Sequence, residues 1–165
     1  MGLVLVAMGG NLGEVHNCFT QARTDISALE KTCLSGSSML YYSPPLGPAN
    51  QADYLNTTIL LKTKLTPPDL LRHLKKIEIK HGRIRTERWG PRTLDLDLVM
   101  YDHLILDTDT LTLPHPHMHK RIFVLQPMCE LLPDWIHPRL GMTASAILNA
   151  LVEKGERLLT QGTSW

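Results

Sequence analysis

The chain has 165 residues, most simply one domain, and its 43% hydrophobic and 20% charged residues are ordinary for a soluble globular protein. Its formal net charge of +1 gives no overall nucleic-acid signature, and its apolar opening, GLVLVAMGG, is too short to span a membrane and lacks a basic leader. Three widely spaced cysteines fit reduced thiols and fit neither a disulfide framework nor a zinc ribbon. We therefore expect a cytoplasmic monomer without a membrane or nucleic-acid partner.

The first third of the chain predicts a strand, a helix and two more strands. GLVLVAMGG is typical of a buried strand, and Asn11 could then cap a helix over residues 14–29. The apolar positions of that helix recur at helical spacing at Val15, Phe19, Ala22 and Ile26. A second strand is expected near Ser37 to Tyr42, followed by the rigid turn SPPLGP and a third strand over residues 54–65.

A second helix and a fourth strand complete the pattern. Thr66 is a suitable N-cap with Pro67 at the first helical position, and Gly82 lies where the helix should stop. The apolar stripe of this helix consists of Leu70, Leu71, Leu74 and Ile77. The order βαββαβ predicts an α+β fold of the ferredoxin-like type, an antiparallel sheet with both helices on one side. The last third of the chain then adds C-terminal decoration, including an amphipathic helix near residues 143–152.

The stretch from Arg83 to Tyr101, RIRTERWGPRTLDLDLVMY, carries the strongest chemical signal. Strand alternation places Asp95 and Asp97 on one face, about 6.6 Å apart along the strand. Mg²⁺ usually takes one or two carboxylates from protein, and the arginines Arg83, Arg85, Arg88 and Arg92 could hold phosphate in a bidentate fashion. The alternative is a solvated salt-bridge network on an edge strand, although scattered lysines would serve solubility as well.

Two further clusters leave alternatives open. His115, His117 and His119 alternate, which allows a zinc site, or else His115 could join Arg121 as a donor to a polyphosphate. Tyr54 and Phe123 could pack in the core or form a stacking slot for a flat ligand.

Four motifs resemble a known family. GGNLG, YYSPPLGPANQADYLN, RWGPRTLDLDL and LPHPHMHKRIFVL, between about residues 3 and 135, are similar to those of the 6-hydroxymethyl-7,8-dihydropterin pyrophosphokinases. Enzymes of that family move the terminal two phosphates of ATP as one unit onto the hydroxymethyl group of the pterin in folate biosynthesis. The resemblance therefore implies a diphosphokinase with ATP as co-substrate and two Mg²⁺ ions as cofactors.

The resemblance also implies a role for individual residues. Asp95 and Asp97 match the acids that hold the two Mg²⁺ ions, and Arg83 and Arg92 match catalytic arginines that engage the phosphates. The pterin site would consist of the rings of Tyr54 and Phe123, the amide of Asn56, the backbone of Ser43, Pro44, Pro45 and Leu46, and the ring of Trp89. The ATP site would include Glu78, Arg85, Arg92, Leu98, Thr112, His115 and Arg121.

Some features depart from the family or stay open. Gly10 stands where the family usually has serine, a change that we expect to be tolerated, and the loop between Arg85 and Arg88 is one residue shorter than in some relatives. The proton of the substrate hydroxyl could pass to Asp97, to a metal-bound hydroxide or to solvent.

Other functions are also compatible with parts of the pattern. A nucleotidyltransferase would also use paired acids and Mg²⁺. A small RNA-binding module is a third reading, disfavoured because the chain has only 2 phenylalanines and the acid pair would repel phosphate.

Overall fold

The computed structural model describes residues 1–82 and 90–165. Its strands are β1 (Gly2–Gly10), β2 (Thr32–Ser37), β3 (Tyr41–Ser43), β4 (Tyr54–Thr63), β5 (Asp95–Tyr101), β6 (Leu106–Asp107), β7 (Thr112–Leu113) and β8 (Thr160–Gln161). Its helices are α1 (Val15–Ser27), α2 (Pro67–Lys80), α3 (Ile122–Leu131) and α4 (Ala144–Glu153), with a short 3-10 helix at Met118–Lys120.

The main sheet is antiparallel and has the order β5-β1-β4-β3-β8, with β2 also paired to β4. Strands β2 and β3 lie one after the other along β4, from the pair Thr32 and Thr63 to the pair Ser43 and Tyr54. Counted as one interrupted strand, they complete the predicted βαββαβ order. The predicted α+β fold with an antiparallel sheet is thus confirmed.

The predicted start of the second strand was wrong, because β2 begins at Thr32 rather than near Ser37. Its residues Cys33 and Leu34 are exposed, so the segment shows no apolar alternation from which a strand could be predicted. Asn11 was also misassigned as a helix cap. Glu14 occupies the N-cap position of α1 and makes no capping hydrogen bond through its side chain.

The predicted cap of the second helix is confirmed. The Thr66 Oγ1 accepts a hydrogen bond from the Asp69 backbone N–H at 3.3 Å, and Pro67 is the first helical residue. Gly82 follows the helix with a φ of 79°, the left-handed conformation that glycine adopts at little cost. Helix α2 therefore ends immediately before the arginine-rich segment.

Helices cover both faces of the sheet. Helices α1 and α2 pack against Val4, Val6 and Met8 of β1, whereas α3 and α4 pack on the opposite face against Leu5 and residues of β5. The predicted C-terminal addition thus forms a second helical layer on the sheet. Within the described ranges, no helix is both long and apolar enough to cross a membrane.

Helix α3 was not predicted, although α4 was. Helix α3 contains Pro127 and buries Ile122, Val124, Leu125 and Met128 on several sides, so it lacks the polar face that reveals a helix in sequence. Helix α4 is amphipathic, and the Thr143 Oγ1 caps it by accepting from the Ala146 N–H at 3.1 Å.

Candidate active site

Strand register brings the predicted acid pair and the predicted aromatic slot to one face of the sheet. Gly9 of β1 pairs with Asp95 on one side and with Asn56 on the other. Because neighbouring strands are about 4.8 Å apart, the backbones at Asp95 and Asn56 are about 10 Å apart, with a glycine between them. Leu94, Leu96 and Leu98 are buried on the opposite face, so the predicted alternation of the acid strand is confirmed.

A cavity of about 350 Å³ lies over this row of residues, between the sheet and the start of α3. It is lined by Ala7, Met8, Gly9, Ser43, Pro44, Leu46, Gly47, Tyr54, Asn56, Arg92, Asp95, Asp97, His115, Arg121, Phe123 and Val124. Most of the residues that the sequence assigned to ATP, metal or pterin therefore share one cavity.

The carboxylates of Asp95 and Asp97 have different electrostatic surroundings. The Arg92 Nη1 donates to the Asp95 Oδ2 at 2.6 Å, which gives the Asp95 carboxylate a charged partner. Burial, and secondarily the neighbouring Asp95 charge, raise the pKa of Asp97 to about 6. Without a cation in the cavity, the ionised form of Asp97 is therefore energetically costly.

Asn11 fixes the backbone of Arg92, a role that the sequence analysis missed. The Asn11 Oδ1 accepts from the Arg92 N–H at 3.0 Å, and the Arg92 carbonyl accepts from the N–H groups of Asn11 and Leu12 at 2.9 and 3.1 Å. The amide of Asn11 also donates to the Ala52 carbonyl at 2.9 Å. Asn11 of the GGNLG motif, which was interpreted as a helix cap, therefore holds the segment that presents Arg92.

The glycine at position 10 fits this close approach. A Cβ atom there would lie 2.7 Å from the Thr93 carbonyl oxygen and 3.4 Å from the Arg92 carbonyl oxygen. The contacts are with backbone, which cannot rotate away. A serine at this position would therefore require the Arg92–Thr93 backbone to shift.

The acceptor side of the cavity has a fixed amide. The Asn56 Nδ2 donates to the Ser43 Oγ at 2.7 Å and lies 3.5 Å from the carbonyl oxygens of Tyr41 and Tyr54. Carbonyl oxygens only accept, so this atom must be the amide nitrogen. The Asn56 Oδ1 is then the acceptor on the Gly9 side, 3.5 Å from where a Cβ of Gly9 would be.

Tyr54 and Phe123 lie on different elements of the same cavity. Tyr54 is the first residue of β4, and its hydroxyl donates to the Gly90 carbonyl at 3.0 Å. Phe123 is in the first turn of α3, and the Arg121 guanidinium carbon is 5.7 Å from its ring centroid. Both rings line the cavity, as the aromatic slot predicted from the sequence requires.

His115 is arranged as a neutral donor. The His117 backbone N–H donates to the His115 Nδ1 at 3.1 Å, which leaves the hydrogen of the ring on Nε2. Burial first, and then the Arg121 charge, lower the pKa of His115 to about 4. The ring of His119 lies instead beside His137, at 6.2 Å between centroids, and no group of three metal-ligating side chains occurs in the described residues. The zinc interpretation of the alternating histidines thus gains no support.

Four predicted residues do not line the cavity. Glu78 is 1% exposed and accepts from the Leu96 N–H at 2.7 Å and from Lys75 Nζ at 3.2 Å. It therefore contacts the backbone of β5 between the two aspartates rather than the cavity itself. The others are Pro45, Leu98 in the core, and Thr112 in β7. The predicted Arg83, Arg85 and Trp89, together with Arg88, lie outside the described residues.

A cavity that combines paired carboxylates, arginines and an aromatic slot, on an α+β sandwich, is typical of an enzyme that transfers phosphate groups. A family model described as 7,8-dihydro-6-hydroxymethylpterin-pyrophosphokinase (HPPK) matches residues 5–133. The chain belongs to this family.

Named relatives agree with the family model. The chain is 45% identical over 139 residues to the 2-amino-4-hydroxy-6-hydroxymethyldihydropteridine pyrophosphokinase of Synechocystis, with 84% of this chain and 71% of that one covered. It is 46% identical over 131 residues to the enzyme of that name from Pseudomonas aeruginosa, with 79% and 81% covered.

Solved structures show the same fold. A structure of HPPK-DHPS in complex with substrates matches with a TM-score of 0.73 at 12% identity, covering 93% of this chain and 44% of that one. Plasmodium falciparum HPPK-DHPS with pteroate matches with a TM-score of 0.72 at 13% identity, covering 93% and 43%. The chain thus spans less than half of these longer proteins, and at such identity the likeness concerns the fold alone.

Proposed function

We propose that the cavity under α3 is the site at which this chain transfers pyrophosphate from ATP to the hydroxymethyl group of 6-hydroxymethyl-7,8-dihydropterin, giving AMP and the pterin diphosphate. The observation that carries the proposal is the row formed by Asp95, Gly9 and Asn56. It places a carboxylate suited to a metal–phosphate complex and an amide suited to a heterocycle about 10 Å apart over one floor.

Asp95 and Asp97 are the residues that would hold Mg²⁺. Both carboxylates line the cavity as hard oxygen donors, and the rest of a magnesium shell is usually water and substrate phosphate. Two bound Mg²⁺ ions would neutralise the phosphate charge that develops during in-line transfer. The fit of the site to Mg²⁺ therefore depends on this pair together with ATP.

Arg92, Arg121 and His115 would bind the phosphates. The two guanidinium groups are permanently charged, and neutral His115 donates one hydrogen bond without adding charge. Arg92 is already oriented by Asp95 and by the clasp of Asn11. Binding of a metal at Asp95 would let Arg92 turn its guanidinium toward phosphate oxygens.

Some residues of the predicted ATP site lie outside the cavity, so any contribution that they make to ATP binding would be indirect. Glu78 would act through β5, since it holds the Leu96 N–H between the two acids. The roles of Leu98, Thr112, Arg83, Arg85 and Trp89 stay predictions from the resemblance.

The acceptor slot would take the flat ring of the pterin. Tyr54 and Phe123 offer apolar faces, and the Asn56 Oδ1 offers one acceptor to the N–H groups of the heterocycle edge. Gly9 leaves the floor open between the amide and the acids. The hydroxymethyl group would then lie toward Asp95 and Asp97.

One assay tests the reaction. Incubation with ATP, Mg²⁺ and hydroxymethyl-dihydropterin should yield AMP and a diphosphorylated pterin in equal amounts. ADP as the nucleotide product, or free pyrophosphate as a nucleotidyltransferase would release, would contradict the proposal. Substitution of either acid, Asp95→Asn or Asp97→Asn, should lower kcat by at least about a hundredfold, whereas the exposed Asp107→Asn should leave it unchanged.

A further inference from the structure

Residues 158–165, called the strap below, lie along the free edge of β3. Within the strap, Thr160 and Gln161 form β8 and pair with Tyr42 and Tyr41. The Gly162 N–H donates to the Leu40 carbonyl at 2.7 Å, and the Leu40 N–H donates to the Thr163 carbonyl at 3.3 Å. The strap therefore continues the sheet past its three-residue strand.

One end of the strap is attached to α3. The Gln126 side chain binds both backbone groups of Leu159: its Oε1 accepts from the N–H at 2.7 Å and its Nε2 donates to the carbonyl at 3.3 Å. A paired amide contact of this kind fixes direction as well as distance. The strap thus links β3 to the helix that begins with Phe123.

The other end is attached to α1 on the opposite face of the sheet. The Trp165 Nε1 donates to the Ser38 carbonyl at 2.9 Å, just before β3. The Arg23 guanidinium lies 4.2 Å from the centroid of the Trp165 ring and donates to the Trp165 carbonyl at 2.6 Å. The ring also meets Phe19 edge to face at 6.0 Å.

These attachments bear on the shape of the acceptor slot. Strand β3 ends at Ser43, and the next residues, Pro44, Leu46 and Gly47, form one wall of the cavity. Phe123 at the start of α3 belongs to the other wall. Strand β3 pairs with β4 over only three residues, and the Met39 N–H before it donates to the carboxylate of Glu130 in α3 at 3.0 Å. The strap adds a further link between β3 and α3 along the outer edge of β3.

We propose that the strap is a positioning element of the acceptor slot, which fixes the wall at residues 43–47 relative to Phe123. This inference rests on the proposed function, because it assumes that the slot takes the pterin. Within the described part of the chain, the hydrogen bonds of the strap go to Ser38, to residues 40–42, to Gln126 and to Arg23. None of these residues is a cavity-lining acid or arginine, so loss of the strap should weaken pterin binding selectively.

The kinetic test uses Trp165→Ala and Gln126→Ala, which remove the attachments at opposite ends of the strap. Each should raise the KM for the pterin about tenfold while the KM for ATP stays within about twofold. The matched control is Tyr101→Phe, which removes a hydrogen bond of 2.8 Å to the Leu65 carbonyl far from β3. An equal rise in both KM values, or no rise in either folded variant, would overturn the proposal.

Amide hydrogen exchange of residues 40–43, 46 and 47, without ligands, tests the positioning role of the strap separately from the reaction. The exchange of this segment should accelerate about tenfold in Trp165→Ala and stay unchanged in Tyr101→Phe. If the unaltered protein fails to convert the pterin, the proposed function is refuted, whereas exchange still reports whether the strap holds β3. Unchanged exchange in both Trp165→Ala and Gln126→Ala would refute the positioning role of the strap without bearing on the proposed function.

Discussion

Replacing Asp97 by asparagine should stabilise the metal-free protein at neutral pH while it abolishes turnover. The carboxylate of Asp97 is ionised at pH 7.5 in surroundings that raise its pKa to about 6. Asparagine has nearly the same shape and carries no charge, so it removes the cost of burial and of repulsion by Asp95.

The magnitude and sign follow from linkage. The ordinary pKa of aspartate is about 3.9, so a shift of about 2 units at about 1.4 kcal/mol each gives about 3 kcal/mol at most. Partial exposure of Asp97 reduces this to about 1–3 kcal/mol. Between about pH 4 and pH 6 the folded state holds more protons than the unfolded state, so stability of the unaltered protein falls as the pH rises. The advantage of the variant should be complete above about pH 6 and vanish below about pH 4.

Urea denaturation in the presence of EDTA, at several pH values between 4 and 8, measures the difference. The control is Asp107→Asn, because Asp107 is 63% exposed and pairs with Arg139 at the surface. Its free energy of unfolding should change by less than about 0.5 kcal/mol at every pH. If Asp97→Asn is less stable than the unaltered protein at pH 7.5, or its advantage does not depend on pH, the electrostatic account of the acid pair is refuted.

Three further outcomes are expected. Asn11→Ala should lower kcat about tenfold or more with little change in the KM for the pterin, since it releases the backbone of Arg92; steady-state kinetics would show an unchanged kcat if the clasp is irrelevant. Gly9→Leu should abolish pterin binding, measured by calorimetry, yet retain the fold by circular dichroism, because the new side chain would fill the cavity floor; normal affinity would place the pterin elsewhere. His115→Gln should keep the pH profile of kcat/KM between pH 5 and 8 unchanged in shape, because the pKa of His115 is lowered to about 4; loss of a limb near pH 6 would show that His115 titrates in the free enzyme.

Much of the fold could be predicted because its signals are local. The cap at Thr66 and the alternation around Asp95 and Asp97 each depend on a few neighbouring residues, and the structure confirms both. Helix α3 could not be predicted in this way. It is buried between the sheet and α4, so its sequence lacks the polar face on which a periodicity argument depends.

The site was predicted unevenly for a related reason. Acids, arginines and aromatic residues can be selected as candidate site residues from their type alone, and Asp95, Arg92 and Phe123 do share a cavity. Gly9 carries no such signal, because its contribution is the absence of a side chain at a position that only the register of β1 reveals. Asn11 was misread because an asparagine before a helix usually caps it, whereas here its partner lies 81 residues away.

The buried carboxylate of Glu78 has a consequence for self-association. In the described part of the chain no strand pairs with β5 on the side away from β1, and an uncovered sheet edge offers backbone groups to which a strand of another molecule can add. Glu78 occupies the N–H of Leu96, which is one of these groups, with a charged side chain that Lys75 also contacts. An incoming strand would have to displace this ion pair. Glu78→Ala should therefore leave the Leu96 N–H at the sheet edge open to strand addition and promote aggregation at high protein concentration, independently of any effect on turnover.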